Sequence, residues 1–495
     1  MQSGAFLGDC RRSLYNLNTT RRILTGALCG TCDTVDDERS GERHRNVLQV
    51  TDMKRLHMKK MSSFQVIIFG FLIVILAGTL LLMIPAASAD GRSAGFGTSL
   101  FTATSAVCVT GLVVRDTATG WSTFGQVVIL SLIQIGGMGV VLIATGLAIL
   151  SGRRISLMQR SRMQDAMSAP QVGGIVRLTR FILKFLLTAE LAGALVMLPV
   201  FAGKFGIGRG IYYSIFHSVS AFCNAGFDLM GAARPYSSLT GFVGNPVINL
   251  SIMLLIISGG LGFLTWEDIA HWKWHIRRYR LQSKIVLSVT LLLIVLPAIY
   301  FYFGEYGQMK GISRVLASLF QSVTTRTAGF NTTDISSLSD TGKALMTLLM
   351  LIGGAPGSTA GGMKVTTFGV LMMTAIAVMA RKSETGCFGR RVETETIRYA
   401  VSICAMYIVL FLAGGLIISR LDGFPLVDCL FETASAIGTV GLTAGLTTKI
   451  SAFSKVILIV LMYIGRVGGL TLIFATIPGT RKADAKFVSE KVMVG

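Results

Sequence analysis

The sequence predicts an all-α polytopic membrane protein, made of four tandem repeats of helix, re-entrant loop and helix. Two observations carry this. Mean hydropathy is +0.64, and only 14% of the 495 residues are charged, against roughly 25% in soluble domains. A short motif, an apolar half-length run closed by glycine, also occurs four times at near-equal intervals.

From Ser63 onward, apolar stretches long enough to cross a bilayer recur between short polar links. Eight spans are expected, at approximately 64–84, 122–150, 175–202, 244–265, 284–303, 344–379, 398–419 and 453–477. The net charge of +21 is concentrated in clusters between them: the N-terminal segment, 152–184 with Arg153, Arg154, Arg160, Arg162, Arg177, Arg180 and Lys184, then 273–284, 381–398 and the C-terminal tail. These are the expected cytoplasmic sides, which places both termini in the cytoplasm. The clusters lie in discrete links between apolar spans and hold no nucleic-acid motif, so the charge reads as topology and not as a nucleic-acid surface.

The repeat is visible on alignment. SLFTATSAVCVTGL (99–112), SIFHSVSAFCNAGF (214–227), SLFQSVTTRTAGF (318–330) and CLFETASAIGTVGL (429–442) each hold a phenylalanine, an amphipathic run, a glycine and a large apolar residue. The phenylalanine-to-glycine distances are 10, 10, 9 and 10, and the copies lie 115, 103 and 112 residues apart. The divisions that follow are a polar extension 1–62, expected to be disordered and cytoplasmic, repeats at 63–151, 152–270, 271–382 and 383–480, and a cytoplasmic tail 481–495.

About ten residues of helix reach only ~15 Å, half of a bilayer core. Each segment must therefore enter the membrane and return, and non-helical backbone at that depth survives only in protein or beside water. The negative end of each half-helix points toward the membrane centre and favours a cation. Beyond it, a strip of carbonyls can replace an ion's hydration shell, with glycine permitting the unusual dihedrals. Helix packing through small residues is the simpler account of a single glycine, but not of four copies with matching half-helices.

At VTGL, NAGFD, TRTAGFNT and TVGL the chain resembles the Trk/Ktr/HKT superfamily of potassium transporters, most nearly the KtrB membrane subunits, over about residues 63–480. The resemblance implies a pseudo-fourfold central pore, with K+ at the carbonyls of Val109, Thr110 and Gly111, Asn224, Ala225 and Gly226, Thr327, Ala328 and Gly329, and Thr439, Val440 and Gly441. In the plant branch, serine at the first filter glycine accompanies sodium selectivity; Gly111 here favours potassium. No copy has a second glycine two residues on, as a TVGYG filter has, so a shorter and less selective filter is expected. Arg326 and the one-residue-shorter third copy leave the geometry of that quarter open. The resemblance further implies a homodimer docked on a cytosolic ring of RCK-type nucleotide-binding regulatory subunits in the plasma membrane. The basic loops and the tail ending VSEKVMVG are candidate docking surfaces.

The sixth span is too long for one crossing, and its surplus is GGAPGSTAGGMK (353–364). Glycine costs a helix roughly 1 kcal/mol per residue and proline about 3. Gly353, Gly354, Ala355, Pro356, Gly357, Ser358, Thr359, Ala360, Gly361 and Gly362, with Lys364, are expected to form an intramembrane loop that obstructs the ion path and moves aside. A kinked helix packed through small residues is the alternative, and the resemblance favours the loop. Arg466, near mid-membrane, should face inward and find partners, the carbonyls of 353–362 among them. In the resembled family the matching arginine lies below the filter against the gating loop, which implies a role as an electrostatic barrier; purely structural pairing is the other reading. Asp228 and Asp334 follow their filter segments and read either as outer-mouth acids that concentrate cations or as solvated loop acids. Glu190 reads as a structural partner rather than an ion ligand.

The eight cysteines are scattered, with Cys108, Cys223, Cys404 and Cys429 in apolar segments, and read as reduced thiols; Cys29 and Cys32 form a lone CxxC. The five histidines form no HExxH motif, and only His217 lies in a re-entrant segment, so an integral membrane enzyme is disfavoured. No cofactor is expected beyond the transported K+, with Na+ as a candidate modulator; a sodium-selective or Na+-coupled transporter of the same fold is the alternative reading. No GxGxxG nucleotide fold occurs in the chain, so any nucleotide regulation must come from a partner.

Overall fold

The computed structural model describes residues 62–151, 156–167, 173–232, 234–469 and 471. The extension 1–61 with its CxxC, Arg153 and Arg154, and the tail 481–495 lie outside the described residues.

Four units of the same build follow one another. The first has an outer helix α1 (Ser63–Met83), a re-entrant helix α2 (Phe96–Val107) and a second outer helix α3 (Thr123–Met138) that turns into α4 (Val140–Leu150). After a connecting helix α5 (Leu157–Met167), the second unit has α6 (Ile175–Phe205), re-entrant α7 (Ile207–Phe222), and α8 (Pro246–Gly260) followed by α9 (Phe263–Trp272). The third has α10 (Leu281–Tyr300), re-entrant α11 (Gly311–Thr324), α12 (Asp340–Met350) and α13 (Val365–Met379). A two-residue hairpin, β1 (Gly386–Cys387) against β2 (Arg390–Arg391), leads to the fourth: α14 (Thr394–Asp422), re-entrant α15 (Leu426–Ile437) and α16 (Ala452–Val467).

Local chemistry sets these boundaries. Ser62 and Gln65 form a reciprocal capping box at the start of α1, satisfying two backbone donors. The second outer helix of every unit begins at a side-chain cap, Ser122, Asn245, Ser339 and Ser451, each accepting from an amide three residues on. The re-entrant helices have 12, 16, 14 and 12 residues, longer than the expected ten-residue runs, because each starts before its quoted motif. The apolar faces turned outward, with Leu80, Leu191, Leu195, Leu296 and Val409 exposed, suit a lipid solvent. The re-entrant helices are the opposite: Phe101, Phe216, Phe320 and Phe431 are all buried, and anchor them in the interior.

Of the eight expected spans the sixth was already expected to be interrupted, and the second and fourth, read as continuous, need correction. Among the described residues, four helices are long and apolar enough to cross a membrane: α1, α6, Leu281–Glu305 (α10 with its π-helical end) and α14. The second span of each unit is instead broken. Between α3 and α4 the chain bends by 96°, and between α8 and α9 by 98°. The breaks share one pattern, GGMG at 136–139, GGLG at 259–262 and GRVG at 465–468, with left-handed φ of 83°, 82° and 88° at Gly139, Gly262 and Gly468. A side chain in that conformation is strained, so glycine lets the helix stop and turn in mid-membrane. In the third unit, the same place holds GGAP and the loop that follows.

Candidate functional site

The four glycine-closed stretches meet around one axis, in cyclic order. A methyl carbon at Gly111 would overlap the Ala225 carbonyl oxygen, one at Gly226 the Ala328 oxygen, one at Gly329 the Val440 oxygen, and one at Gly441 the Thr110 oxygen. Each quarter thus touches the next, and the last returns to the first.

Backbone conformation repeats with the same fidelity. Val109, Asn224, Thr327 and Thr439 have φ of 56°, 60°, 61° and 51°, and the glycines two residues on have 91°, 71°, 80° and 92°. Left-handed residues alternating with ordinary ones turn successive carbonyls toward the same side of the chain. Four non-glycine residues held in this uncommon region mark stored strain, which the surroundings must hold in place.

Hydrogen bonds from the re-entrant helices supply the restraint. Thr110, Ala225 and Val440 donate their amides to the carbonyls of Ser105, Ser220 and Ser435 at 2.8 Å, and Ala328 to Thr324 at 3.1 Å. The side chains of the same four residues bond the stretch again. Gly111 and Gly441 donate to the Ser105 and Ser435 hydroxyls at 3.1 and 3.0 Å. The Ser220 hydroxyl donates to the Phe227 carbonyl at 2.7 Å, and the Thr324 hydroxyl to that of Phe330. Sequence reading missed this hydroxyl, although it stands four residues after the phenylalanine in every copy. Ser435→Ala is expected to cost about 1 kcal/mol, read as a lower thermal midpoint in detergent.

Loop 353–364 lies directly against this ring. Thr359 donates its hydroxyl to the Phe222 carbonyl at 3.0 Å and its amide to Gly259 at 3.2 Å. Ala355 donates to Gly260 at 2.8 Å, Phe263 to Gly357 at 2.8 Å, and Gly362 to Gly465 at 3.1 Å. A methyl carbon at Gly361 would overlap the Thr439 hydroxyl, and one at Gly362 would press on the Gly438 carbonyl. The loop is therefore bound to the second and fourth units at once. Its ends are pinned together by Gly353 donating to Met363 and Val365 to Gly354, at 2.7 and 2.9 Å.

Arg466 occupies the position of the second glycine in the GGxG breaks. Its guanidinium donates to the carbonyls of Thr359, Gly136 and, at 2.9 Å, Gly137. The loop carbonyl is the expected partner; the first-unit break is an additional one. Lys364 donates to the Ala360 carbonyl at 2.7 Å. Both side chains line a cavity of about 630 Å³ with Gly137, Pro356, Ser358 and Gly362. Glu190 is buried and accepts from Gln134 at 3.3 Å, a structural pairing.

Beyond the ring, a cavity of about 620 Å³ is lined by Gly329, Asn331, Asp334 and Gly441. Asp334 is exposed and caps a short 3₁₀ turn by accepting from the amide and hydroxyl of Ser336. Asp228 is half-buried and accepts from the Met230 amide at 2.9 Å. Arg326, whose place the sequence left open, is buried, and its Nε has no partner among the described residues.

The four stretches close into a ring with the 353–364 loop packed against them, and comparison with known proteins gives the family. The family model described as TrkH, a cation transport protein, matches residues 45–481. This chain belongs to the TrkH family. It is 38% identical to the potassium/sodium uptake protein NtpJ of Enterococcus hirae, over 90% of the chain and all of that relative. It is 37% identical to the Ktr system potassium uptake protein B of Bacillus subtilis, over 87% of the chain and 96% of that relative. The crystal structure of the potassium transporter TrkH from Vibrio parahaemolyticus shares the fold, with a TM-score of 0.67, 20% identity, and coverage of 85% and 86% of the two chains. As a TrkH-family protein, the chain is a membrane cation transporter and not an enzyme.

Proposed function

We propose that this chain is the ion-translocating subunit of a potassium uptake system of the plasma membrane. The observation that carries the reading is the cyclic contact of four glycine-closed stretches, each with a left-handed residue two before its glycine. Carbonyls of Val109, Thr110 and Gly111 and their counterparts in the other units replace K+ hydration. The 353–364 loop is the gate, and Arg466 latches it while placing a positive charge beside the path. Asp228 and Asp334 line the outer mouth, where Asp334 draws in cations from solvent.

Relatives named for potassium uptake at 38% and 37% identity over most of the chain support K+ as the cargo. One of them is named for both potassium and sodium. That favours a second reading, in which Na+ is carried or modulates uptake through the same ring. The partner is a cytosolic RCK-type nucleotide-binding regulatory subunit, and the chain works as a homodimer with both termini in the cytoplasm.

Rubidium uptake into proteoliposomes tests the proposal. Uptake is expected to saturate with Rb+, and to compete with K+ more strongly than with Na+. Equal competition by the two would move the assignment to the second reading. Adding the co-purifying cytosolic partner with ATP in place of ADP is expected to change the Rb+ rate, and an unchanged rate would remove nucleotide control.

A further inference from the structure

The residue immediately after the repeat phenylalanine differs in every unit: Thr102, His217, Gln321 and Glu432. It lies three positions before the filter-bonding hydroxyl, on the same helix face. All four are buried.

In three units this residue reaches past the glycine to hold the chain leaving the ring. Glu432 is the most heavily engaged. One carboxylate oxygen accepts from the Thr443 hydroxyl and from the amides of Ala444 and Leu446, at 3.1 and 3.3 Å, and the other accepts from the Thr447 hydroxyl at 2.7 Å. Gln321 accepts from the Thr333 hydroxyl at 3.3 Å, and Tyr306 meets the same hydroxyl at 2.7 Å. His217 accepts the Leu229 amide on Nε2 at 3.3 Å; its Nδ1 lies 2.7 Å from the Tyr213 carbonyl. An amide can only donate, so Nε2 holds the lone pair and Nδ1 carries the proton. The hydroxyl of Thr102 has no partner among the described residues.

We propose that Glu432, Gln321 and His217 are positioning residues for ion selectivity, bracing the outer ends of three filter quarters while the first quarter goes unbraced at this position. The inference rests on the filter reading above. The strained left-handed residues need restraint on both sides, and the helix hydroxyls act only at the glycine and the residue after it. The brace fixes the segment two to six residues beyond Gly441. It is strongest in the fourth unit, where an acceptor-only carboxylate meets four donors.

The test is the ratio of Rb+ to Na+ uptake, with the KM for Rb+, in proteoliposomes of the full chain. Glu432→Gln keeps the shape but turns one acceptor into a donor facing Thr447, and Thr447→Val removes that donor from the other end. Each is expected to lower the Rb+/Na+ ratio, by about tenfold for a lost charge-assisted bond. The double variant is expected to be no worse than Glu432→Gln alone, because both break one interaction. Thr102→Ala is expected to leave the ratio at its starting value. A Rb+/Na+ ratio unchanged in Glu432→Gln and Thr447→Val, with only protein yield or total flux reduced, overturns the brace. Gly441→Ser distinguishes the two levels. If it also leaves the ratio unaltered, the filter reading fails; if it alone shifts the ratio, the filter stands and the brace falls.

Discussion

Replacing Gly111 by serine is expected to lower the ratio of Rb+ to Na+ uptake by tenfold or more. Gly111 has φ of 91°, where a residue with a Cβ is strained by about 1–3 kcal/mol, and 1.4 kcal/mol is a factor of ten. The added carbon also lands on the Ala225 carbonyl oxygen and lies 3.1 Å from the Gly226 Cα. Relief therefore requires a shift of the neighbouring quarter as well, so one substitution distorts two of four ligand sets. Selectivity among ions that differ by fractions of an ångström depends on where those oxygens stand. A purified, monodisperse Gly111→Ser chain with an unaltered ratio would remove Gly111 from the filter.

The parts of the site that were legible in the sequence are those that repeat. Four copies of one short motif gave the re-entrant segments and the glycines, because only a backbone with that freedom closes each turn. The break in the second span of each unit was hidden by its own composition. GGMG and GGLG sit within apolar runs, and hydropathy cannot tell a straight helix from one that turns by 96°. Only in the third unit, where proline joins the glycines, was the interruption plain. The hydroxyl column of Ser105, Ser220, Thr324 and Ser435 was present in the aligned text, but a serine in a membrane helix also serves packing. Its purpose depends on a hydrogen bond to the glycine of the motif or the residue after it, beyond the end of the helix, which needs the turn's geometry. Arg466 was legible as a buried charge, and Thr359 lies within the stretch expected to hold it. Its bonds to Gly136 and Gly137 join residues about 330 positions apart, and no local pattern carries that.

Deleting residues 356–361 is expected to raise Rb+ flux by about tenfold or more, as a path open only in a minor state becomes open at all times. The loop is held by amide and hydroxyl bonds to Phe222, Gly259, Gly260 and Gly465, and by the Arg466 guanidinium on the Thr359 carbonyl. At about 0.5–1.5 kcal/mol for each such bond, several together would keep the proposed closed arrangement dominant without making it permanent. On the proposed gate reading Arg466 has two roles, a latch on the loop and a fixed positive charge near the path, and Arg466→Gln separates the two. Glutamine retains a donor for the loop carbonyl but carries no charge. If the charge is the barrier, this variant should raise flux nearly as far as the deletion; if the latch is, it should fall well short. Flux unchanged in both variants, with the protein correctly inserted, would mean that the loop is not in the way of the ion.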